Sequence, residues 1–173
     1  MNSYFNFCPR CAARLTRKKE WPTDPPYQKC PRCSFTFYDN PITSNEALIV
    51  RNGKLLLVIR AAPPKKGYLD IPGGFIDGTE TPEHSVKREL REELGVRFRP
   101  QHLVSVNADT YHWKGRDVPV IVLSYFGTIS GTMRHTGEVA RWKWVPLSHI
   151  PKQLAFQHMH QSIRDLKRFL KTQ

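Results

Sequence analysis

The sequence predicts an α/β fold in which a mixed β-sheet lies between helices, preceded by a small N-terminal module. Apolar, strand-like runs alternate with two helical patterns after residue 41, while all four cysteines fall within the first 33 residues. A chain of 173 residues is long enough for one core of about 100–150 residues and a small appendage. We therefore expect a module at residues 1–37 and a larger domain at residues 41–173, with residues 38–41 as the connector.

The N-terminal module is predicted from two Cys-x-x-Cys pairs, Cys8/Cys11 and Cys30/Cys33. Together they can supply four thiolates to a tetrahedral Zn²⁺ site, and the alternatives are two disulfides or a redox-active pair. The first twenty residues are basic and lack an apolar stretch, so we expect no secretory signal and a cytoplasmic location. A redox motif would use a single pair, which favours a small structural zinc ribbon. Because five prolines limit what this segment can bury, metal binding would supply its folding free energy.

The larger domain begins with a predicted hairpin. Asn52-Gly53 separates the apolar runs Ala47–Val50 and Lys54–Ile59, which is a strong signal for a two-residue turn. Further strands are expected at Tyr68–Ile71, Leu103–Trp113, Val118–Ile129 and Glu138–Val145. A last helix is expected at about residues 152–170, with an apolar face made of Phe156, Met159, Ile163, Leu166 and Leu170.

Between these strands, one predicted helix carries an acidic face. Thr81 followed by Pro82 is typical of a helix start, and Gly95 is typical of a helix end. The apolar stripe of this helix consists of Val86, Leu90 and Leu94. The acidic face beside it consists of Glu89, Glu92 and Glu93. These like charges repel one another, and Mg²⁺ or Mn²⁺ bound by carboxylate oxygens would relieve the repulsion. A solvated acidic helix is the alternative.

A longer pattern surrounds this helix: Gly74, five residues, Glu80, seven residues, then Arg-Glu-Leu-Arg-Glu-Glu-Leu-Gly-Val at residues 88–96. It resembles the Nudix box, Gly-x5-Glu-x7-Arg-Glu-apolar-x-Glu-Glu-x-Gly-apolar, at every fixed position. The resemblance implies an α/β/α sandwich and a metal-dependent hydrolase that cleaves the diphosphate linkage between a nucleoside diphosphate and another group, X. It implies a catalytic set of Glu80, Arg88, Glu89, Glu92 and Glu93. It implies that magnesium is held by Glu89, Glu92, Glu93 and the Gly73 carbonyl, with Glu138 as a further acidic ligand or base.

Cysteine pairs followed by this box resemble the NADH pyrophosphatase group and related zinc-ribbon Nudix hydrolases. That group carries Ser-Gln-Pro-Trp-Pro-Phe-Pro-x-Ser after the box, whereas residues 105–113 here read Ser-Val-Asn-Ala-Asp-Thr-Tyr-His-Trp. Residues 150–156 resemble the corresponding segment of zinc-ribbon enzymes that act on ADP-ribose or FAD. We therefore expect ADP-ribose or FAD ahead of NADH, with hydrolysis of NADH or NAD-capped RNA as the alternative. Arg60 is our candidate for a phosphate contact, and Tyr111 or Trp113 for base stacking, although all three could be ordinary surface or packing residues.

The chain is basic, with a formal net charge of +12. Residues 1–33 contain seven Lys and Arg against two acidic residues, so this segment could bind nucleic-acid phosphate. A basic surface can equally attract a small anionic substrate, and we favour this explanation because no aromatic-basic recognition motif accompanies the charge.

A nucleic-acid-binding regulator or adaptor that uses the larger domain as a ligand sensor is a further alternative. The sequence is compatible with a homodimer, and no apolar run reaches membrane-spanning length, so no membrane partner is expected.

Overall fold

The computed structural model describes residues 5–38, 40–113, 115–134, 137 and 139–173. The chain divides into two compact units, Met1–Pro41 and Ile42–Gln173. Neither of the two α-helices within the described ranges is long and apolar enough to cross a membrane.

The N-terminal unit contains a small antiparallel sheet. Its strands are β1 (Thr16–Lys18), β2 (Tyr27–Lys29) and β3 (Thr36–Phe37), in that order across the sheet. Among the described residues of this unit, the buried apolar side chains are Cys8, Leu15 and Cys30. A core of this size contributes little free energy of folding, so the unit needs another source of stability.

The second unit is built on a seven-stranded sheet. Its strands are β4 (Ile42–Arg51), β5 (Lys54–Arg60), β6 (Leu69–Asp70), β7 (Gly73–Phe75), β8 (Arg97–Trp113), β9 (Arg116–Ser130) and β10 (Val139–Pro146). The main path runs β10-β5-β4-β9-β8, while β6 pairs with β5 and β7 pairs with β4. Strand β4 runs parallel to β9, and the other pairings between the strands of this sheet are antiparallel. The prediction of a mixed sheet is therefore confirmed.

Two helices cover the two faces of this sheet: α1 (Pro82–Leu94) and α2 (His158–Phe169). Successive residues of β4 alternate between them, because side chains along a strand point to opposite faces. Ala47 and Ile49 share a buried cluster with the apolar stripe of α1, whereas Leu48 shares a cluster with Met159 and Leu166 of α2. Burial on both sides explains why the strand sequences are continuously apolar. The α/β/α sandwich expected from the resemblance is confirmed.

The local signals for turns and helix ends are also confirmed. Val50 pairs with Leu55 across the hairpin, and Asn52 and Gly53 have φ angles of 48° and 70°, as a type I′ turn requires. In α1, the Thr81 hydroxyl accepts a hydrogen bond from the backbone N–H of His84, at 3.3 Å. Gly95 ends this helix in the left-handed conformation, with φ 69°.

The predicted start of the last helix is wrong. The helix begins at His158 rather than near residue 152, because the preceding segment pairs with another part of the chain. Leu154 forms a parallel bridge with Leu69, and the N–H of Ala155 donates to the Leu69 carbonyl at 2.8 Å. Strand β8 likewise starts at Arg97, six residues before the predicted position, because its pairing with β9 continues to that end. Both errors arise where tertiary pairing overrides local pattern.

Candidate active site

A cavity of about 460 Å³ lies in the second unit, where β4, β7, α1, β8 and the start of α2 meet. Its acidic lining consists of Glu46, Asp70, Asp77, Glu89, Glu93 and Asp109. Its basic and aromatic lining consists of Arg60, His158, Phe75, Tyr111 and Phe156. The cavity therefore combines many oxygen ligands with a few cations and an aromatic wall.

Glu89 and Glu93 are buried at the edge of this cavity, each with 9% of its surface exposed. The Glu93 carboxylate accepts a hydrogen bond from the backbone N–H of Gly73, at 3.0 Å. A Cβ on Gly74 would lie 2.4 Å from the Glu89 carboxylate, and a Cβ on Gly73 would lie 2.2 Å from the Asn45 carbonyl. The two glycines are thus required for β7 to pack between β4 and the acidic helix.

Arg88 organises the carboxylates around it. It donates two hydrogen bonds of 2.9 Å to Glu80, one of 2.8 Å to Glu89, and one of 3.2 Å to the Phe75 carbonyl. Arg88 also forms an ion pair with Glu92, one turn further on, at 3.1 Å. The hydrogen bonds from Arg88 lower the pKa of Glu80, so this carboxylate remains ionised. Glu80 and Arg88 do not belong to the described cavity lining.

Glu92 differs from the other two glutamates of the acidic face. Its side chain is 55% exposed, contacts Arg88 and does not belong to the described cavity lining. Within the described ranges, the cysteines alone bring three or more potential metal-ligand atoms within 4.8 Å of one another. The three glutamates therefore share a helix face but do not converge on one point.

The chemistry of the cavity nevertheless fits a hard divalent cation. Glu89 and Glu93 supply carboxylate oxygens, the ligands that Mg²⁺ and Mn²⁺ prefer. Asn45 adds an amide oxygen that is buried and has no hydrogen-bond partner within the described part of the chain. A buried oxygen of this kind is expected to bind a ligand, ion or water.

One buried charged group of the cavity, His158, is not indicated by any sequence pattern. It lies between two carboxylates, with Nε2 3.1 Å from Glu46 and Nδ1 2.8 Å from Asp109. Burial alone would lower the pKa of His158, but these carboxylates more than offset burial and raise it to about 9. The three residues are far apart in sequence and form no ligand spacing, so only Glu46, as a charged residue within the apolar strand β4, gave a sequence signal.

A chain of buried polar side chains holds His158 in place. The hydroxyl of Ser124 donates to Glu46 at 2.7 Å and lies 3.0 Å from the hydroxyl of Ser162 on α2. The side-chain amide of Asn107 donates to Ser162 at 3.1 Å. These bonds join the first turns of α2 to strands β4, β8 and β9, and so fix the position from which His158 reaches the cavity.

The aromatic wall surrounds Tyr111, one of the predicted stacking residues. Its ring centroid lies 5.4 Å from that of Phe75 and 5.5 Å from that of Phe156. Arg60 lies over Phe156, with 5.2 Å between the guanidinium carbon and the ring centroid, and forms a 2.6 Å ion pair with Asp70. The predicted phosphate contact therefore lies in the cavity lining, but Asp70 already neutralises part of its charge.

Two predicted site residues cannot be compared with the structure. Trp113 ends strand β8, but its side chain lies outside the described part of the chain, as does the whole of Glu138. Their proposed roles in base stacking and metal binding remain predictions.

The cysteines of the N-terminal unit converge as the sequence suggested. Their four Sγ atoms lie within 4.8 Å of one another. The two pairs have matching local geometry: the N–H of Cys8 donates to the Ala13 carbonyl and that of Cys30 to the Phe35 carbonyl, each at 2.8 Å. The Sγ–Sγ distances between the pairs, 3.4 and 3.6 Å, are far longer than a disulfide bond of about 2.05 Å. The arrangement matches a tetrathiolate metal site rather than two disulfides.

The thiols of Cys11 and Cys30 have shifted pKa values because the cluster is crowded. Burial would raise the pKa of Cys30, but the N–H groups of Cys33 and Arg32 more than offset this and lower it to about 6. The N–H of Ala13 lowers the pKa of Cys11, but burial and the neighbouring thiols outweigh this effect and raise the pKa to about 12. Four adjacent thiols cannot all ionise unless a cation offsets their charge.

We expect Gly74→Ala to lower kcat by about 100-fold, because the added methyl group would displace the Glu89 carboxylate by roughly an ångström. Steady-state kinetics would measure the loss. Gly137→Ala is the matched control, since a Cβ at Gly137 meets nothing within 4 Å. Equal rates for wild type and Gly74→Ala would contradict the assigned position of Glu89.

We expect His158→Gln to destabilise the protein most at low pH. The raised pKa means that protonated His158 stabilises the folded state fully below about pH 6.5, and that this contribution is lost as pH rises to about 9. The difference in Tm between wild type and His158→Gln should therefore be largest near pH 6 and should shrink above pH 9. His160→Gln, on the same helix, is the control. If the difference in Tm between wild type and His158→Gln did not depend on pH, the ion pairs of His158 with Glu46 and Asp109 would be refuted.

Comparisons with a family model, with related sequences and with solved structures all point to the same domain family. The family model for the NUDIX domain matches residues 43–166. An ADP-ribose pyrophosphatase from Methanocaldococcus jannaschii is 28% identical over 136 residues, which cover 78% of each chain. An RNA pyrophosphohydrolase from Acidiphilium cryptum is 36% identical over 106 residues, covering 59% of this chain and 58% of that protein. The crystal structure of a NUDIX hydrolase from Nitrosomonas europaea shares the fold, with a TM-score of 0.75, 22% identity and coverage of 92% and 89%.

Proposed function

Since this chain belongs to the Nudix family of hydrolases, we propose that it hydrolyses the diphosphate linkage of a nucleoside diphosphate joined to another group, in a Mg²⁺-dependent reaction. ADP-ribose or FAD is the preferred substrate, ahead of NADH. The observation that carries this proposal is the composition of one cavity, in which the buried carboxylates Glu89 and Glu93 occur together with the aromatic side chains of Tyr111 and Phe156.

In this proposal, the acidic face of α1 holds the catalytic cation. The ligands are Glu89, Glu92 and Glu93, with the Gly73 carbonyl as a further oxygen donor. When bound, Mg²⁺ supplies electrostatic stabilisation of the negative charge that develops on the phosphoryl oxygens. Glu92 would have to leave its ion pair with Arg88 to serve as a ligand, at a modest cost because the pair is accessible to solvent.

The reaction itself needs a base and a fixed geometry. One of the buried glutamates, Glu89 or Glu93, accepts the proton of the attacking water, and Arg88 holds Glu89 in place. Glu80 in turn holds Arg88 through two hydrogen bonds. Glu80 and Arg88 thus act by holding Glu89 in position rather than by contacting the substrate.

The aromatic wall provides a site for the nucleoside. A cavity of about 460 Å³ falls within the roughly 300–1,000 Å³ range of small-molecule sites, and the half-buried ring of Tyr111 in its lining is our candidate for stacking on a base. The relative that aligns over 78% of this chain is named as an ADP-ribose pyrophosphatase, which supports a nucleoside diphosphate sugar as substrate.

We expect Tyr111→Ala to raise KM by roughly 5- to 150-fold and to change kcat much less, because loss of a base stack costs about 1–3 kcal/mol. Tyr111→Phe retains the ring and should behave like wild type. Steady-state kinetics with ADP-ribose measures both. A loss confined to kcat would mean that Tyr111 supports the catalytic carboxylates rather than the base.

A hydrolysis screen tests the substrate class. ADP-ribose, FAD, NADH, dinucleoside polyphosphates, nucleoside triphosphates and RNA with a 5′-triphosphate are compared with Mg²⁺ present, in ¹⁸O-labelled water to identify the attacked phosphorus by mass. We expect the highest kcat/KM for ADP-ribose or FAD. Highest activity on NADH would refute the ranking, and cleavage of triphosphates alone would refute the substrate class.

For the N-terminal unit, we propose that Cys8, Cys11, Cys30 and Cys33 bind one structural Zn²⁺. The matching backbone geometry of the two pairs and the convergence of their four Sγ atoms support this assignment. Cysteines stay reduced in a reducing compartment, so we retain the cytoplasm as the proposed location.

A further inference from the structure

The sheet of the N-terminal unit gathers aromatic and basic side chains that the sequence separates. Lys18 of β1 lies opposite Tyr27 of β2. Gln28 lies opposite Phe37, so the next residue of the chain, Tyr38, continues this register opposite Tyr27. The ring centroids of Tyr27 and Tyr38 are 5.3 Å apart, which confirms the adjacency. Because side chains alternate along a strand, Lys29 lies on the same face, two residues from Tyr27.

We call these four residues, Lys18, Tyr27, Lys29 and Tyr38, the aromatic-basic face. Both lysines are exposed, and Tyr38 is 54% exposed. A large apolar ring that remains this accessible beside charged groups is typical of a binding surface rather than of a core.

The loop between β1 and β2 adds a second exposed ring to that of Tyr38, at the same end of the sheet. Trp21 is 68% exposed and lies in the loop that leaves Lys18 and returns to Tyr27. A compact turn holds it: the N–H of Trp21 donates to the Asp24 carboxylate at 3.0 Å, and the N–H of Asp24 donates to the Trp21 carbonyl at 3.1 Å. The indole is therefore presented by a fixed turn.

We propose that the aromatic-basic face, with Trp21, binds single-stranded nucleic acid. Unpaired bases expose the flat surfaces that tyrosine and tryptophan rings stack on, and lysine ammonium groups attract the phosphates between them. The charge of the unit suits such a partner, since Met1–Pro41 contains seven Lys and Arg against three acidic residues. A duplex would offer phosphates but no free base surface, so single strands bind more tightly.

This activity goes beyond the proposed hydrolysis and does not depend on it. The proposed cavity residues all lie after residue 41, whereas the face lies wholly before it. Variants of the face should therefore leave turnover of ADP-ribose unchanged, and loss of hydrolysis in the screen above would not affect nucleic-acid binding.

Fluorescence anisotropy of the full chain with a labelled oligouridylate tests the proposal. We expect Tyr38→Ser and Trp21→Ser each to weaken binding roughly 5- to 150-fold, whereas Tyr38→Phe keeps wild-type affinity. The double variant Lys18→Gln/Lys29→Gln should reduce the slope of log affinity against log salt by about 0.7 for each phosphate that a lysine no longer neutralises. Lys54→Gln/Lys152→Gln removes the same charge from exposed positions of the second unit and should bind as wild type.

Three results would overturn the proposal. Equal reductions of affinity in the two lysine double variants would show that binding depends only on the net charge of the chain. Equal affinity for single-stranded and duplex RNA would exclude base stacking. Wild-type affinity of Tyr38→Ser and Trp21→Ser would remove these rings from any binding surface.

Discussion

We expect Glu93→Gln to lower kcat by about 10²- to 10⁴-fold while the protein remains folded. Glu93 is buried at the cavity and accepts a hydrogen bond from Gly73, which a glutamine oxygen can also accept. The substitution thus removes the charge and keeps the hydrogen bond. It should leave stability without metal unchanged or slightly higher, because one of several neighbouring carboxylates no longer repels the others.

Kinetics at saturating Mg²⁺ and thermal unfolding without metal measure the two effects separately. Glu92→Gln should also lose most turnover if this exposed side chain joins the ligand set. Glu83→Gln is the matched control, since Glu83 lies on the same helix, bonds to Tyr125 and does not belong to the described cavity lining. Near wild-type rates for both Glu92→Gln and Glu93→Gln would exclude the proposed ligand set.

A second large effect, loss of zinc and of folded structure, is expected for cysteine variants of the N-terminal unit. Purified protein should contain one tightly bound Zn²⁺ per chain, and Cys30→Ser/Cys33→Ser should lose it and unfold residues 1–41. The reason is that structural zinc supplies about 10–16 kcal/mol in small modules, more than the few apolar side chains of this unit can contribute. Elemental analysis measures the zinc, and limited proteolysis should then cut first within the unfolded segment.

Arg32→Gln is the control for this variant, because Arg32 lies in the same cysteine loop and carries no thiol. It should keep the zinc and the protease resistance. Fresh cytoplasmic protein with two disulfides and no zinc would contradict the assignment, as would full zinc content in the double variant.

The features that sequence predicted well are those encoded locally. The N-cap Thr81, the C-terminal Gly95 and the Asn52-Gly53 turn each act over a few residues, so the pattern and the structure agree. The spacing of the acidic helix likewise predicts which glutamates share a face. In contrast, the helix start near residue 152 was wrong, because pairing of Leu154 with Leu69 has no local signal.

Contacts between distant segments explain the rest of what sequence missed. Glu46 and His158 are 112 residues apart and meet because β4 and α2 pack together. The aromatic-basic face escaped prediction for the same reason: the sequence shows no aromatic-basic motif, since Lys18 and Tyr38 become neighbours of Tyr27 through strand pairing. Strand register, rather than composition, creates both arrangements.

The alternation along β4 has a consequence for how this protein can evolve. Asn45 donates to the carbonyl of Pro82 in α1, whereas the next residue, Glu46, bonds His158 in α2. Adjacent residues of this one strand therefore contact the helices on the two opposite sides of the cavity. A substitution in β4 alters a single contact, but an insertion or deletion of one residue before Asn45 would exchange the two sides and turn a carboxylate toward the wrong helix. New specificities should therefore arise in this strand by replacement of side chains, while changes in length are confined to the loops.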